Sequence, residues 1–153
     1  FQWMATSTFN MVTGRGGQTM KDKWETEGTK TFLGIHSNGF PNLFIMTGPQ
    51  GGGGSFNFTD AIETHADYIV WMLSMMRDEG HEVVDITEEA EINYAEHCRE
   101  ADIAAAPLRD CLSYYNGHGD SEPGSLAYYG GGNWHKFRVR AQETLDTYAF
   151  ESS

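Results

Sequence analysis

Residues 38–63 read Asn-Gly-Phe-Pro-Asn-Leu-Phe-Ile-Met-Thr-Gly-Pro-Gln-Gly-Gly-Gly-Gly-Ser-Phe-Asn-Phe-Thr-Asp-Ala-Ile-Glu. Leu43–Met46 is a short apolar run, which predicts a strand buried on both faces. Four glycines follow at Gly51–Gly54, and then an amphipathic helix. This order constrains the fold because α/β proteins hold cofactors with it: a buried strand delivers bare backbone, and a helix start points free amides at an electron-rich group. The helix is expected from about Phe58 to Asp78. Asn57 is its N-cap, and Gly80 is its C-terminal stop. Its apolar positions Ile62, Ala66, Ile69, Val70, Leu73 and Met76 step by three or four and predict one buried stripe.

The chain of 153 residues is long enough for one modest core. No stretch approaches the roughly 20 apolar residues of a membrane helix, so no membrane partner is expected. Net charge is −12, which argues against nucleic acid, whose phosphates need a basic footprint. The acid gathers between Asp78 and Glu100, including Glu79, Glu82, Asp85, Glu88, Glu89, Glu91 and Glu96. A solvated helix face is the expected reading, and no Asp-x-Asp-x-Asp-Gly loop supports calcium. Two cysteines, Cys98 and Cys111, are too few for a disulfide framework, so a reduced, cytoplasmic setting is expected. The chain opens on Phe1-Gln2-Trp3 with no initiator Met, as expected of a processed chain or a piece of a longer one.

Gly14, Gly16 and Gly17 predict a turn, Thr19–Trp24 a single helical turn, and Thr31–Leu33 a short strand. Thr87 is expected to cap a second helix, with Glu88 and Glu89 in its first turn, running to about Ala105 before Pro107. Ser113–Gly124 reads as a mobile loop, Leu126–Tyr129 as a short strand, and Trp134–Tyr148 as a helix. Leu43–Met46 lacks obvious neighbouring strands, which suggests that its sheet lies on sequence outside this chain.

The glycines do not have Gly-x-Gly-x-x-Gly spacing, and no Lys-Ser/Thr follows them. They leave open both a cofactor role and a flexible turn. His36, His65, His81, His97, His118 and His135 are dispersed, without zinc-like spacing, so no metal site is expected. Cys98, between Glu96 and Glu100, reads as a small packing residue. Tyr114-Tyr115 and Tyr128-Tyr129 flank the Gly-rich loop; they either pack its feet or cover a planar ligand.

Asn38-Gly39-Phe40-Pro41-Asn42-Leu43-Phe44-Ile45-Met46-Thr47-Gly48-Pro49, with Asn57, Ile62-Glu63 and His65, resembles the C-terminal third of the type I Baeyer–Villiger monooxygenases. The resemblance continues through Lys21-Asp22-Lys23-Trp24, Glu88-Glu89-Ala90-Glu91, Ser113-Tyr114-Tyr115-Asn116-Gly117 and Tyr128-Tyr129-Gly130-Gly131, nearly the whole chain. It implies FAD and NADPH as cofactors, a ketone and O2 as substrates, and an ester or lactone as product. The four-glycine loop and the Ser-Tyr-Tyr-Asn-Gly segment are most similar to the branch acting on large or macrocyclic ketones.

The resemblance also implies roles. The helix start at Asn57 and Phe58 would lie beside the flavin ring, with its amides toward the N1–C2=O edge. Gly53 and Gly54 would fall on a bulge lining the substrate pocket, with Ser55 and Phe56 as the adjacent wall. Tyr114 would take the place of a loop Trp that contacts the nicotinamide cofactor; without the indole N–H, that contact is altered. The Gly117–Gly124 segment keeps the family's Pro-Gly at Pro123-Gly124 and lacks its Lys. The catalytic Arg, its carboxylate partner and both dinucleotide fingerprints belong upstream, so no catalytic residue is assigned here.

The expected fold is therefore an α/β fragment. Residues 1–80 would be the C-terminal remainder of an FAD-binding Rossmann-like domain, 81–112 a helical segment, 113–127 a control-type loop and 128–153 a C-terminal segment. The expected partners are the missing N-terminal FAD and NADP domains of the same protein, and the fragment alone is expected to be inactive. Two other readings are a free-standing binding module and a flavin monooxygenase acting on amines or sulfides.

Overall fold

A helix whose polar and apolar residues repeat every three to four positions has to bury one face, and the choice of face organises this molecule. The computed structural model describes residues 7–51, 57–100 and 133–152. In chain order these form α1 (Ser7–Met11), a 3-10 turn (Arg15–Gly17), α2 (Met20–Glu27), α3 (Phe58–Glu79), β1 (Val83–Ile86), α4 (Glu88–Glu100), α5 (Asn133–Thr144) and β2 (Tyr148–Glu151). The expected loop at Ser113–Gly124, the strand at Leu126–Tyr129 and the stretch from the end of α4 to Pro107 lie outside the described residues. No helix of the described residues is long and apolar enough to cross a membrane.

The central helix α3 has 22 residues, roughly 33 Å at 1.5 Å per residue. Asn57 caps it by accepting from the Thr59 amide at 3.1 Å, and Gly80 ends it at φ +76°, both as the sequence predicts. The buried face differs from expectation. His65, Tyr68, Met72 and Met76 point into the core, while Val70 is 62% and Leu73 50% exposed. Both faces are apolar enough to satisfy the helical period. Periodicity alone therefore cannot choose between them, and the aromatic partners Phe32, Tyr94, Trp134 and Tyr148 select the Tyr68 face. Ile62, Val70 and Leu73, expected in the stripe, lie on the outer side.

The main core joins Phe32, Leu33, Ile35, Tyr68, Met72, Met76, Val84, Ile86, Tyr94, Cys98, Trp134, Ala141 and Tyr148. Fully burying each of its larger apolar side chains contributes about 1.5–3 kcal/mol. A smaller cluster joins Met20 and Trp24 of α2 to Phe40, with Phe9 of α1 packed against it. Helix α2 begins at Thr19, whose hydroxyl accepts from the Asp22 amide, and runs longer than the single turn expected.

Several sequence expectations need correction. Leu43–Met46 forms no strand: Asn42 (φ +57°) and Thr47 (φ +52°) bracket it in left-handed backbone, and Ile45 N–H donates to Ile35 C=O in place of a ladder. Its side chains are half-buried, and Met46 is exposed. Thr31–Leu33 is likewise no strand but part of a tight turn closed by a Phe32–His36 bridge, with Leu33 at φ +59°. The helix expected over Trp134–Tyr148 stops at Thr144. Leu145 then turns through φ +55°, and Tyr148 opens β2. Strand β1 has no counterpart among the sequence expectations; it pairs antiparallel with β2, Val83 opposite Glu151 and Ile86 opposite Tyr148. Within the acidic stretch, Asp85 and Glu91 are buried, contrary to a wholly solvated face. Thr87 caps α4 as expected, accepting from the Ala90 amide.

Candidate functional site

The junction between the loop at 47–51 and the start of α3 is where sequence and structure converge. Gly34 sits at φ +70° in the turn after Leu33, and a Cβ there would stand 2.0 Å from the Gly51 Cα. Two backbones thus touch with no side chain between them. Gly48 N–H donates to Gly34 C=O at 3.0 Å, and Gly51 N–H closes a turn onto Gly48 C=O at 3.0 Å.

Side chains then fasten the loop from three directions. Gln50, itself buried, bridges to the 29–31 segment: its Oε1 accepts from Thr31 N–H at 2.9 Å, and its Nε2 donates to Thr29 C=O at 2.9 Å. Thr31 Oγ1 donates to Pro49 C=O at 2.6 Å. From α4, Tyr94 O–H donates to Gln50 C=O at 2.7 Å.

From α3, His65 reaches both ends. Thr47 N–H donates to His65 Nδ1 at 3.1 Å, and His65 Nε2 lies 2.9 Å from Gly51 C=O. An amide can only donate, so Nδ1 is the bare acceptor and Nε2–H is the donor to the carbonyl. Both bonds require the neutral ring, and burial lowers the His65 pKa in the same sense. The imidazole stacks on Trp134 of α5 at 5.3 Å and 10°, while Trp134 Nε1–H donates to Leu33 C=O at 2.8 Å. The loop is thereby held against α3, α4, α5 and the Gly34 turn.

Beside this anchored loop, the first residues of α3 are exposed. Asn57 is exposed, and the Phe58 ring is 65% exposed. The outer side of α3 continues with Ile62, Val70 and Leu73. Of the residues expected to serve a site, Asn57 and Phe58 are described; Gly53, Gly54, Ser55, Phe56 and Tyr114 lie outside the described residues.

Two further polar networks are buried among the described residues. Lys23 Nζ meets both carboxylate oxygens of Glu91, at 3.0 and 2.8 Å, and Glu91 Oε1 also accepts from Ser37 Oγ and Asn38 N–H, each at 2.9 Å. His36 Nε2 lies 3.0 Å from Tyr68 Oη, which lies 2.6 Å from Tyr148 Oη. Burial pushes His36 down to about 3 and both tyrosines up, so all three are neutral.

No model of a known protein family matches the chain. Curated relatives do. A Baeyer–Villiger monooxygenase of Streptomyces coelicolor is 35% identical over 142 residues, 88% of this chain and 23% of that protein. The chain is a relative of the Baeyer–Villiger monooxygenases. A polycyclic ketone monooxygenase of Thermothelomyces thermophilus is 39% identical over 83 residues, 52% of this chain and 12% of that protein. Among solved structures, an oxidized steroid monooxygenase bound to NADP superposes with a TM-score of 0.76 at 28% identity, over 92% of this chain and 26% of that one. The chain spans about a fifth of the length of the curated Baeyer–Villiger relatives it matches.

No local pattern gives His65 a role; Trp134 is expected only as the start of a helix, and Gln50 and Tyr94 carry no expectation. One signal was present: His65 leads the series His65, Tyr68, Met72 and Met76, so a polar ring sits in register with a core face. Gln50 and Tyr94 carried no local signal, because their partners lie 19 and 44 residues away.

Proposed function

We propose that this chain is the C-terminal part of an FAD- and NADPH-dependent Baeyer–Villiger monooxygenase that inserts one oxygen of O2 beside a ketone carbonyl, giving an ester or lactone. The observation that carries the reading is the 35% identity to a Baeyer–Villiger monooxygenase across 88% of the chain. In this reading residues 1–80 complete an FAD-binding Rossmann-like domain, 81–112 form a helical segment, 113–127 a control-type loop and 128–153 the C-terminal segment. The chain acts with the FAD and NADP domains of its own protein and is inactive alone.

The residues present fit a flavin. At the start of α3 Asn57 is exposed and takes the Thr59 amide, and the apolar Phe58 ring stands exposed beside it. Such an edge suits an aromatic ring system whose negative charge gathers near a helix start. When bound, the flavin supplies the activation of O2. Asn57 and Phe58 would line its edge, Tyr114 would contact the nicotinamide cofactor, and Gly53, Gly54, Ser55 and Phe56 would form the ketone wall. Glycines at 53 and 54 would remove side-chain volume, which favours bulky or cyclic ketones. The polycyclic ketone monooxygenase among the relatives supports that preference.

The test uses the full-length protein purified with FAD. NADPH- and O2-dependent conversion of a bulky cyclic ketone to its lactone is expected, and Phe58→Ala should alter the range of ketones accepted. Oxidation of amines or sulfides with no ketone turnover would overturn the reading. So would conversion by the isolated chain, for the claim that it is inactive alone.

A further inference from the structure

Helix α3 carries two apolar seams, and the core uses one of them, through His65, Tyr68, Met72 and Met76. On another side Ile62, Ala66, Ile69 and Leu73 repeat at steps of four, three and four, with Val70 beside them. Ile62, Val70 and Leu73 are exposed, and Ala66 and Ile69 are half-buried. We propose that this second seam is the docking face for an α-helix in the part of the same protein outside these 153 residues, a helix with an apolar seam of its own and a basic edge. The inference rests on the reading of the chain as the C-terminal part of a longer enzyme, and it adds the surface by which the two parts are held together.

The spacing selects a helix as the occupant. Steps of four and three keep a narrow line of side chains on one side of α3, the pattern that interlocks with a second helix crossing at about 20°. A sheet would press on a broader face, and here the positions along one side of the seam are charged. Asp60, Glu63 and Asp67 step by three and four along that side, and all three are exposed. Arg77, the only Lys or Arg of α3, is already paired with Asp78. Lys or Arg on the partner would answer the three acids. A second copy would bring the same acids, on a chain of net charge −12. The relatives supply the partner's place: the Streptomyces coelicolor enzyme is matched over 23% of its length, so most of it lies outside the match. An apolar line left in water forgoes the gain of burial, which is why such a seam marks a contact surface.

The test uses the full-length protein purified with FAD and reads side-chain exposure, not turnover. Hydroxyl-radical footprinting gives each side chain a rate of oxidation, which is divided by the intrinsic reactivity of its residue type. Ile62, Val70 and Leu73 should be protected about tenfold relative to open side chains, close to Met72, which is fully buried on the same helix. The wild-type protein suffices for this measurement, so no variant has to fold. Val70→benzoylphenylalanine, irradiated, should join to a segment outside these 153 residues in the same polypeptide, with apolar residues at steps of three and four and Lys or Arg beside them. Glu63→Lys with Asp67→Lys should cut the protection about threefold or more, because like charges would then meet along the seam, and Glu63→Gln with Asp67→Asn should cut it less.

Oxidation of Ile62, Val70 and Leu73 at the rate of open side chains overturns the docking face. So does a cross-link within residues 1–153, a cross-link between two copies, or protection that Glu63→Lys with Asp67→Lys leaves unchanged. A full-length protein that keeps the seam covered yet converts no ketone would instead overturn the functional reading and leave the docking face standing.

Discussion

Lys23 and Glu91, 68 residues apart, meet in an ion pair that is almost wholly inaccessible to water, with Glu91 1% exposed and an N–O distance of 2.8 Å. The pair ties α2 to α4 through the 37–38 backbone, and Lys23 Nζ also donates to Asn38 C=O at 2.7 Å. Every oxygen of Glu91 has a donor, which is the condition under which a buried carboxylate is tolerated.

Removing one partner leaves the other charged and buried. Lys23→Met and Glu91→Gln are each expected to cost about 3–5 kcal/mol. The double variant should cost less than the sum of the two, because no lone charge remains. Urea unfolding of the four proteins measures the coupling; additive losses would contradict it.

Acid should destabilise the fold through its histidines. Burial lowers the His36 pKa to about 3, while the unfolded chain keeps the ordinary 6.5. Between those values the unfolded state holds a proton that the folded state lacks, so stability is complete above 6.5 and falls as pH drops toward 3. The slope from His36 is about 1.4 kcal/mol per pH unit, and His65, also lowered by burial, acts in the same direction. The urea midpoint is expected to fall steadily between about pH 6.5 and 4, and less steeply in His36→Gln. Equal slopes in the two proteins would remove His36 from the account.

Gly34 and Gly16 separate steric from conformational costs. Both have positive φ, +70° and +68°, but a Cβ at Gly34 would meet Gly51 at 2.0 Å, whereas one at Gly16 meets nothing within 4 Å. Gly16→Ala should cost about 1 kcal/mol and Gly34→Ala about 3 kcal/mol or more. Thermal unfolding of the two variants checks the order.

The outer face of α3 gives a test of the proposed domains. Val70 and Leu73 are 62% and 50% exposed in this chain. Val70→Ser with Leu73→Ser should leave the stability of the isolated chain within about 0.5 kcal/mol. In the full-length protein the same pair should cost about 2–4 kcal/mol, because that face would be covered there. Equal effects in both would mean that nothing packs on it.

Local chemistry made much of the fold legible. The bounds of α3 follow from Asn57 and Gly80, and the start of α4 from Thr87, since caps satisfy backbone groups within a turn of where they sit. Leu43–Met46 misled because a doubly apolar run reads the same whether it pairs in a sheet or, as here, lies between two left-handed residues. The β1–β2 pair was hidden because its strands are 62 or more residues apart and only four residues long.

The sequence by itself determined the family, the loop–helix junction and the helix starts, because motifs and caps act over a few neighbouring residues. Only the tertiary structure decided which face of α3 is buried, that Glu91 is an internal charge, and that His65 clamps the loop. Each of these depends on partners from distant segments: Tyr148 beside Tyr68, Lys23 beside Glu91, Trp134 against His65. Burial and hydrogen-bond pairing are properties of such meetings in space, and no window along the chain contains both partners.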